Sequence, residues 1–223
     1  MRRLGLCALV LAAIIAGCAI GVAVGQSINV KAASEIVIAV NSGGGSYVGA
    51  DGILWGQDRP WSAGQWGYIG GQSYQTGQSI AGTNDDALYQ NERYWTGSGL
   101  YRFDLPNGSY SVTLKFAELY YSTAGRRSFD VKIEGIVALS RFDVYQSAGG
   151  KYRAVDRTFV AAVIDGHLDI EFLPVLGAPK VNAIQVQSVE MVTPIPPTLT
   201  PICSCVCVTQ TPTATPVALP TAT

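Results

Sequence analysis

Over much of the chain, apolar side chains recur at every second position. In "LYRFDL" Tyr101, Phe103 and Leu105 share one face and Arg102 and Asp104 the other, and Pro106-Asn107-Gly108 then supplies a turn. The run "SYSVTLKFAEL" aligns Tyr110, Val112, Leu114 and Phe116 against Ser111, Thr113 and Lys115. The pattern returns in "SFDVKIEG" with Phe129, Val131 and Ile133, and in "HLDIEF" with Leu168, Ile170 and Phe172, after the Asp165-Gly166 turn. "VNAIQVQSV" closes the series with Ile184 and Val186. No window shows a helical period over enough residues to predict an amphipathic helix. One-sided alternation with short turns predicts an all-β domain, a two-sheet antiparallel β-sandwich.

Gly43 to Thr83 lacks this alternation. It is rich in Gly, Ser and Gln but also holds Trp55, Trp61, Trp66, Tyr68 and Tyr74. A long irregular stretch inside a domain is either functional or disordered, and so many large rings argue for order. Those rings serve either as stacking surfaces for a ligand or as covers for sheet edges.

The two ends read differently. Residues 1–33 open with Arg2 and Arg3, then carry no charge until Lys31, the build of a signal peptide or a membrane or lipid anchor. Ile15-Ala16-Gly17-Cys18 resembles a bacterial lipobox and makes Cys18 the lipidation candidate. Cleavage near Gly25 or Ala33, and an uncleaved span, stay open beside it, since about 20 apolar residues cross a bilayer. Residues 191–223 form a Pro/Thr-rich low-complexity tail or linker whose Thr-Pro and Pro-Pro steps favour extended chain. Its Cys203-x-Cys205-x-Cys207 spacing does not match structural zinc sites. The folded domain is therefore expected over 34–190, in an exported protein at the cell surface.

Composition narrows the chemistry. The net charge is -1 and charged residues make up 14%, so no positive field invites nucleic acid, and a membrane is met only through the N-terminal segment. All five cysteines lie in the leader or tail, which leaves the middle without a disulfide or a thiolate metal site; no metal and no cofactor are expected. His167, the one histidine, follows a turn with no Gly-x-Ser-x-Gly elbow anywhere, so a nucleophile-base centre has nothing to build on. Asp85, Asp86, Glu92, Glu118 and Asp130 could supply a glycosidase pair. The plainer expectation is that Asp85 and Asp86 organise a turn while Glu118 and Asp130 pair with Arg93, Arg126 or Arg127. Binding suits the residues better than catalysis. Sugars present apolar C–H faces beside directional hydroxyls, and Tyr, Trp, Asn, Gln and Arg on loops meet both.

The order "VNSGGG", "GTNDDALYQNERY", "YSVTLKFAELYY", "GRRSFDV", "PKVNAIQV" resembles the malectin family of carbohydrate-binding domains, from about Ile36 to Val189. The resemblance implies a galactose-binding-like, jelly-roll sandwich that holds an oligosaccharide or glycan on loops at one end, without catalysis. It implicates Tyr89, Tyr120 and Tyr121 as sugar-facing rings, and Tyr68 or Tyr74 as an upstream partner. Tyr121 stands where the family's namesake has phenylalanine, so it keeps the ring and adds a hydroxyl. Gly177 and Ala178 stand where the namesake has an aspartate, so its diglucose preference is not expected here. Glu92 is a candidate ligand contact. It either meets the sugar or forms with Arg93 a pair that fixes Tyr89 and Tyr94, and a planar guanidinium suits Arg93 to the structural role. The rival functions are a protein-interaction or scaffold module that kept the sandwich, and a carboxylate-dependent glycosidase.

Overall fold

In the computed structural model, which describes residues 37–189, the alternating runs fold as strands whose apolar faces meet in a shared core. The leader with Cys18 and the tail with Cys203, Cys205 and Cys207 lie outside the described residues. The chain begins with β1 (Val37–Asn41), β2 (Tyr47–Val48), β3 (Leu54–Gln57), β4 (Trp66–Ile69) and β5 (Gln72–Gln75). Helix α1 (Asp86–Gln90) leads into β6 (Asn91–Tyr94), β7 (Gly99–Asp104), β8 (Gly108–Ala117), β9 (Ser128–Ile133) and β10 (Ile136–Phe142). Helix α2 (Val144–Ala148) precedes β11 (Ala154–Val163), β12 (His167–Leu176), β13 (Lys180–Val181) and β14 (Ala183–Ser188).

A six-stranded sheet runs β11-β8-β14-β1-β3-β2, and a five-stranded sheet runs β10-β9-β12-β7-β4. A third, small sheet β13-β6-β5 stands apart from both. Neighbouring strands pair antiparallel except β1 and β3, which run parallel through Val40 opposite Gly56 and Asn41 opposite Gln57. Every residue that alternation turned inward is buried, from Tyr101 and Phe103 through Val112, Leu114 and Phe116 to Ile184 and Val186. With no disulfide among the described residues, this apolar burial is the main source of stability, at about 25 cal/mol per Å² removed from water.

The stretch from Gly43 to Thr83 is more regular than its composition suggests, for it holds β2 to β5. It is tied down by Asp58, whose carboxylate accepts from Gly43 N (2.6 Å), Arg93 Nε (2.8 Å) and Tyr101 Oη (2.9 Å). Gly43 adopts φ +76, and a Cβ there would meet the Glu92 carbonyl oxygen at 2.2 Å, so the loop can lie against β6 only as glycine. The tryptophans act as structural rings. Trp55 fills a second apolar cluster with Leu88, Tyr89 and Leu119, and Trp95 stacks on Phe172 at 5.2 Å. Trp66 packs on Phe103, and Trp61 Nε1 donates to Asp104 (3.1 Å).

Candidate functional site

The small sheet decides which side chains gather. Tyr74 on β5 is directly opposite Glu92 on β6, and Tyr94 faces Gln72 on one side and Lys180 on the other. Residues directly opposite share a face, and successive residues alternate. Tyr74, Glu92, Tyr94 and Lys180 therefore project one way, while Arg93 and Val181 project the other. Two connections complete the site. The turn between β8 and β9 brings Tyr120, Tyr121 and Arg127, and the turn between β12 and β13 brings Ala178. Tyr74, Glu92 and Tyr94 line a pocket of about 340 Å³ with Tyr120, Tyr121, Arg127 and Ala178, and Lys180 is buried beneath it. Tyr120 is 67% exposed and Tyr74 42%, and the Tyr120 and Tyr121 rings meet edge to face with centroids 5.0 Å apart. The Tyr94 hydroxyl donates to Gln72 Oε1 (2.6 Å), which fixes that ring at the wall.

Beneath the rings lies a buried set of four charges. Glu118 is 0% exposed and accepts from Arg127 Nε at 2.7 Å and Arg127 Nη2 at 3.2 Å. The same carboxylate accepts the backbone N–H of Tyr120 (2.9 Å) and Tyr121 (3.0 Å), so it sets the path of the chain that presents both rings. Lys180 donates to Glu92 and to the Ala117 carbonyl, and Arg127 also donates to the Ala178 carbonyl. Burial pushes the Glu118 carboxyl up, but the bonds from Arg127 and the charges of Lys180 and Arg127 outweigh it and hold the carboxyl below its ordinary value. Burial pulls the Lys180 ammonium down, against the opposing pull of Glu92 and Glu118. Two carboxylates and two cations thus balance under an aromatic wall.

Of the residues singled out in the sequence, Tyr74, Tyr120, Tyr121 and Glu92 come together in this pocket. Tyr89 and Tyr68 do not. Tyr89 is 3% exposed on α1, and its hydroxyl donates to Asp156 Oδ1 (2.6 Å) and accepts from Lys115 Nζ (3.2 Å). Burial pushes its phenol up, as does the bond to Asp156. Tyr68 lies on β4 with the Arg93 guanidinium 3.4 Å from its ring centroid. The pairing of acids and cations also differs in part. Glu118 takes Arg127, but Arg93 pairs with Asp58 and Glu92 with Lys180, because Glu92 and Arg93 occupy opposite faces of β6. Asp130 accepts from the Arg141 backbone N–H (2.6 Å) in place of an arginine side chain. Asp86 accepts from Ile80 N (3.2 Å), and Asp85 holds Tyr47 Oη and Ala50 N, so both acids fasten loops. The sequence carries no signal that marks Lys180 or Ala178 as part of a site; Tyr94 has one, its position two residues beyond Glu92 on the same strand face.

Because Tyr89 is braced by Asp156 and Lys115 outside the pocket, Tyr89→Phe is expected to lower folding stability by about 1 kcal/mol while the pocket's affinity for a ligand stays unchanged. A urea titration beside a binding titration checks both halves.

The fold and site together define a β-sandwich domain with a ring-lined, charge-balanced pocket built on a side sheet. The family model described as the malectin domain matches residues 36–186, and the chain belongs to that family. Malectin-A of Xenopus laevis is 32% identical over 145 residues, which cover 62% of this chain and 50% of that protein. A probable LRR receptor-like serine/threonine-protein kinase of Arabidopsis thaliana is 33% identical over 150 residues, 56% of this chain and 14% of the kinase. Among solved structures, a β-glucuronidase of Bacteroides uniformis superposes with a TM-score of 0.64 at 27% identity, over 70% of this chain and 18% of that one. The chain thus spans at most half the length of these relatives.

Proposed function

We propose that the protein binds oligosaccharides and does not cleave them, seating a sugar among Tyr74, Tyr94, Tyr120 and Tyr121 with Glu92 and Arg127 serving its hydroxyls. The observation that carries this reading is the convergence of four tyrosines over polar groups whose charges cancel. Flat rings meet the C–H faces of a pyranose, and fixed acceptors and donors select its hydroxyls. The fate of the acids argues against glycoside hydrolysis. Such catalysis requires a carboxyl held protonated as general acid. Glu118 is held in the opposite direction, and Glu92 is engaged by Lys180. The β-glucuronidase with the same fold is matched over 18% of its length, so the likeness concerns a part of that enzyme.

The sandwich, with domain bounds of 34–190, works outside the cytoplasm. Its leader directs export or anchoring, with Cys18 as the lipidation candidate, and the 191–223 tail acts as a spacer. The test is a glycan array probed with the full chain. Retention of a restricted set of oligosaccharides is expected. A blank array would remove the proposal in favour of a scaffold role, and release of reducing sugar from any bound glycan would remove its non-catalytic half.

A further inference from the structure

On the far side of the hydrogen bond from Tyr94 to Gln72, the side sheet opens into a second cleft of about 390 Å³. Gln72 is directly opposite Tyr94 in the register of β5 and β6, so its side chain lies on the pocket's face of that sheet. Tyr94 lines the pocket and Gln72 lines the cleft, and the bond between them is a wall that the two spaces share. Trp95 forms the base of the cleft, and its Nε1 donates to the Ile69 carbonyl (3.0 Å). Glycines let the chain close around this ring. Gly71 has φ +81 and a Cβ there would stand 2.6 Å from Trp95 Nε1, while a Cβ on Gly99 would fall 2.1 Å from Trp95 Cδ2. Thr96, Gly97 and Ser98, all exposed, form the mouth together with Ile69, which is 44% exposed. The Thr96 and Ser98 hydroxyls and the Gln72 amide nitrogen have no hydrogen-bond partner among the described residues, and no lining residue of the cleft carries a charge.

We infer that this cleft is a second sugar subsite, so that the protein holds a neutral chain longer than a disaccharide, seated on the tyrosines at one end and carried past Tyr94 and Gln72 to Thr96 and Ser98. The inference rests on the glycan-binding reading above and adds the length and the direction of the bound chain. A sugar unit needs an apolar patch for its C–H face and uncharged donors and acceptors for its hydroxyls. Ile69 and Trp95 supply the first, and Gln72, Thr96 and Ser98 the second. Gln72 serves both spaces: its Oε1 holds the Tyr94 ring in place, and its amide nitrogen is left to donate to the unit that crosses the wall. Space for that unit exists because glycine stands at the mouth, where a Cβ on Gly97 would meet nothing within 4 Å.

The test titrates the full chain with di-, tri- and tetrasaccharides from the α- and β-linked glucose, galactose and mannose series. Within a series that binds, the longer chains are expected to bind about five- to tenfold more tightly than the disaccharide, as one or two added hydrogen bonds allow. Gly97→Trp should remove that gain and leave disaccharide affinity unchanged, because the backbone there lies outside the left-handed region, the new Cβ enters open space and the ring occupies the mouth. The double variant Thr96→Ala with Ser98→Ala adds no bulk and should lose part of the gain; it decides the matter should Gly97→Trp fail to fold, and a full gain in it would overturn the subsite. Equal affinity for di- and tetrasaccharide would overturn the subsite and leave glycan binding standing. A gain that survives Gly97→Trp would place the added units elsewhere and overturn the role of the cleft. Failure of every chain in the panel to bind would overturn glycan binding and this inference together.

Discussion

Replacing Lys180 with methionine is expected to cost about 3–5 kcal/mol of folding stability, since one partner of a buried pair is removed and the other stays behind. The methionine keeps most of the stem's volume, so the effect reports the charge and not a cavity. Glu92 would be left without its cation, and the Ala117 carbonyl without its donor. For a domain of this size each kcal/mol moves the melting temperature by about 2–4 °C, so a fall of about 10 °C should be seen in a thermal melt. Glu92→Gln in the Lys180→Met background should recover part of the loss, because a neutral amide does not require a counter-charge. A change under 1 kcal/mol in the single variant would show that the four charges are not a mutually dependent set. The same cluster sets the acid limit. The Glu118 carboxyl titrates below its ordinary value in the folded state, so its contribution is complete above the unfolded value of about 4.3 and is lost as pH falls through the folded value. Stability should therefore drop below about pH 4 on this account, and Glu118→Gln should flatten that limb.

Tyr120→Ala is expected to weaken glycan binding tenfold or more while leaving the melting temperature within about 2 °C of the parent. The asymmetry follows from where the residue is held. Its side chain is 67% exposed, whereas its backbone N–H is fixed by the buried Glu118, so truncation removes the ring and spares the turn. Tyr121→Ala should act in the same direction with a larger stability cost, because that ring is half-buried and contacts the Arg126 and Arg127 guanidinium groups. Titration of the bound oligosaccharide beside a thermal melt separates the two outcomes. Unaltered affinity in Tyr120→Ala would remove the ring from the site.

The large sheets were legible in the sequence because one face of each strand is buried and period-two alternation is the direct record of that burial. Strands of six to ten residues such as β7, β8 and β9 carry enough repeats to be unambiguous. The sheet that builds the pocket was not legible. β13 has two residues, and β5, "QSYQ", is exposed throughout, so neither leaves a pattern. Lys180 was hidden for a different reason. A lysine after Gly-Ala-Pro reads as a solvated turn, and only a contact with Glu92, 88 residues away, makes its burial tolerable.

Tyr89 and Tyr94 show the limit most clearly. Five residues apart in "LYQNERY", they look equally suited to face a ligand. Tyr89 falls on α1, too short for helical periodicity to show, and turns into the cluster with Trp55. Tyr94 falls on β6 and shares the face of Glu92 and Tyr74. The family resemblance pointed to this segment, and strand geometry turns Tyr94, not Tyr89, toward the pocket.

Amide chemical-shift mapping of the isotope-labelled chain during titration with its bound oligosaccharide tests the location of the site most directly. The largest perturbations are expected at Tyr74, Tyr94, Tyr120, Tyr121 and Arg127, with Tyr89 and Asp156 unmoved. Perturbations centred on Tyr89 and Asp156, with the pocket residues silent, would contradict the account.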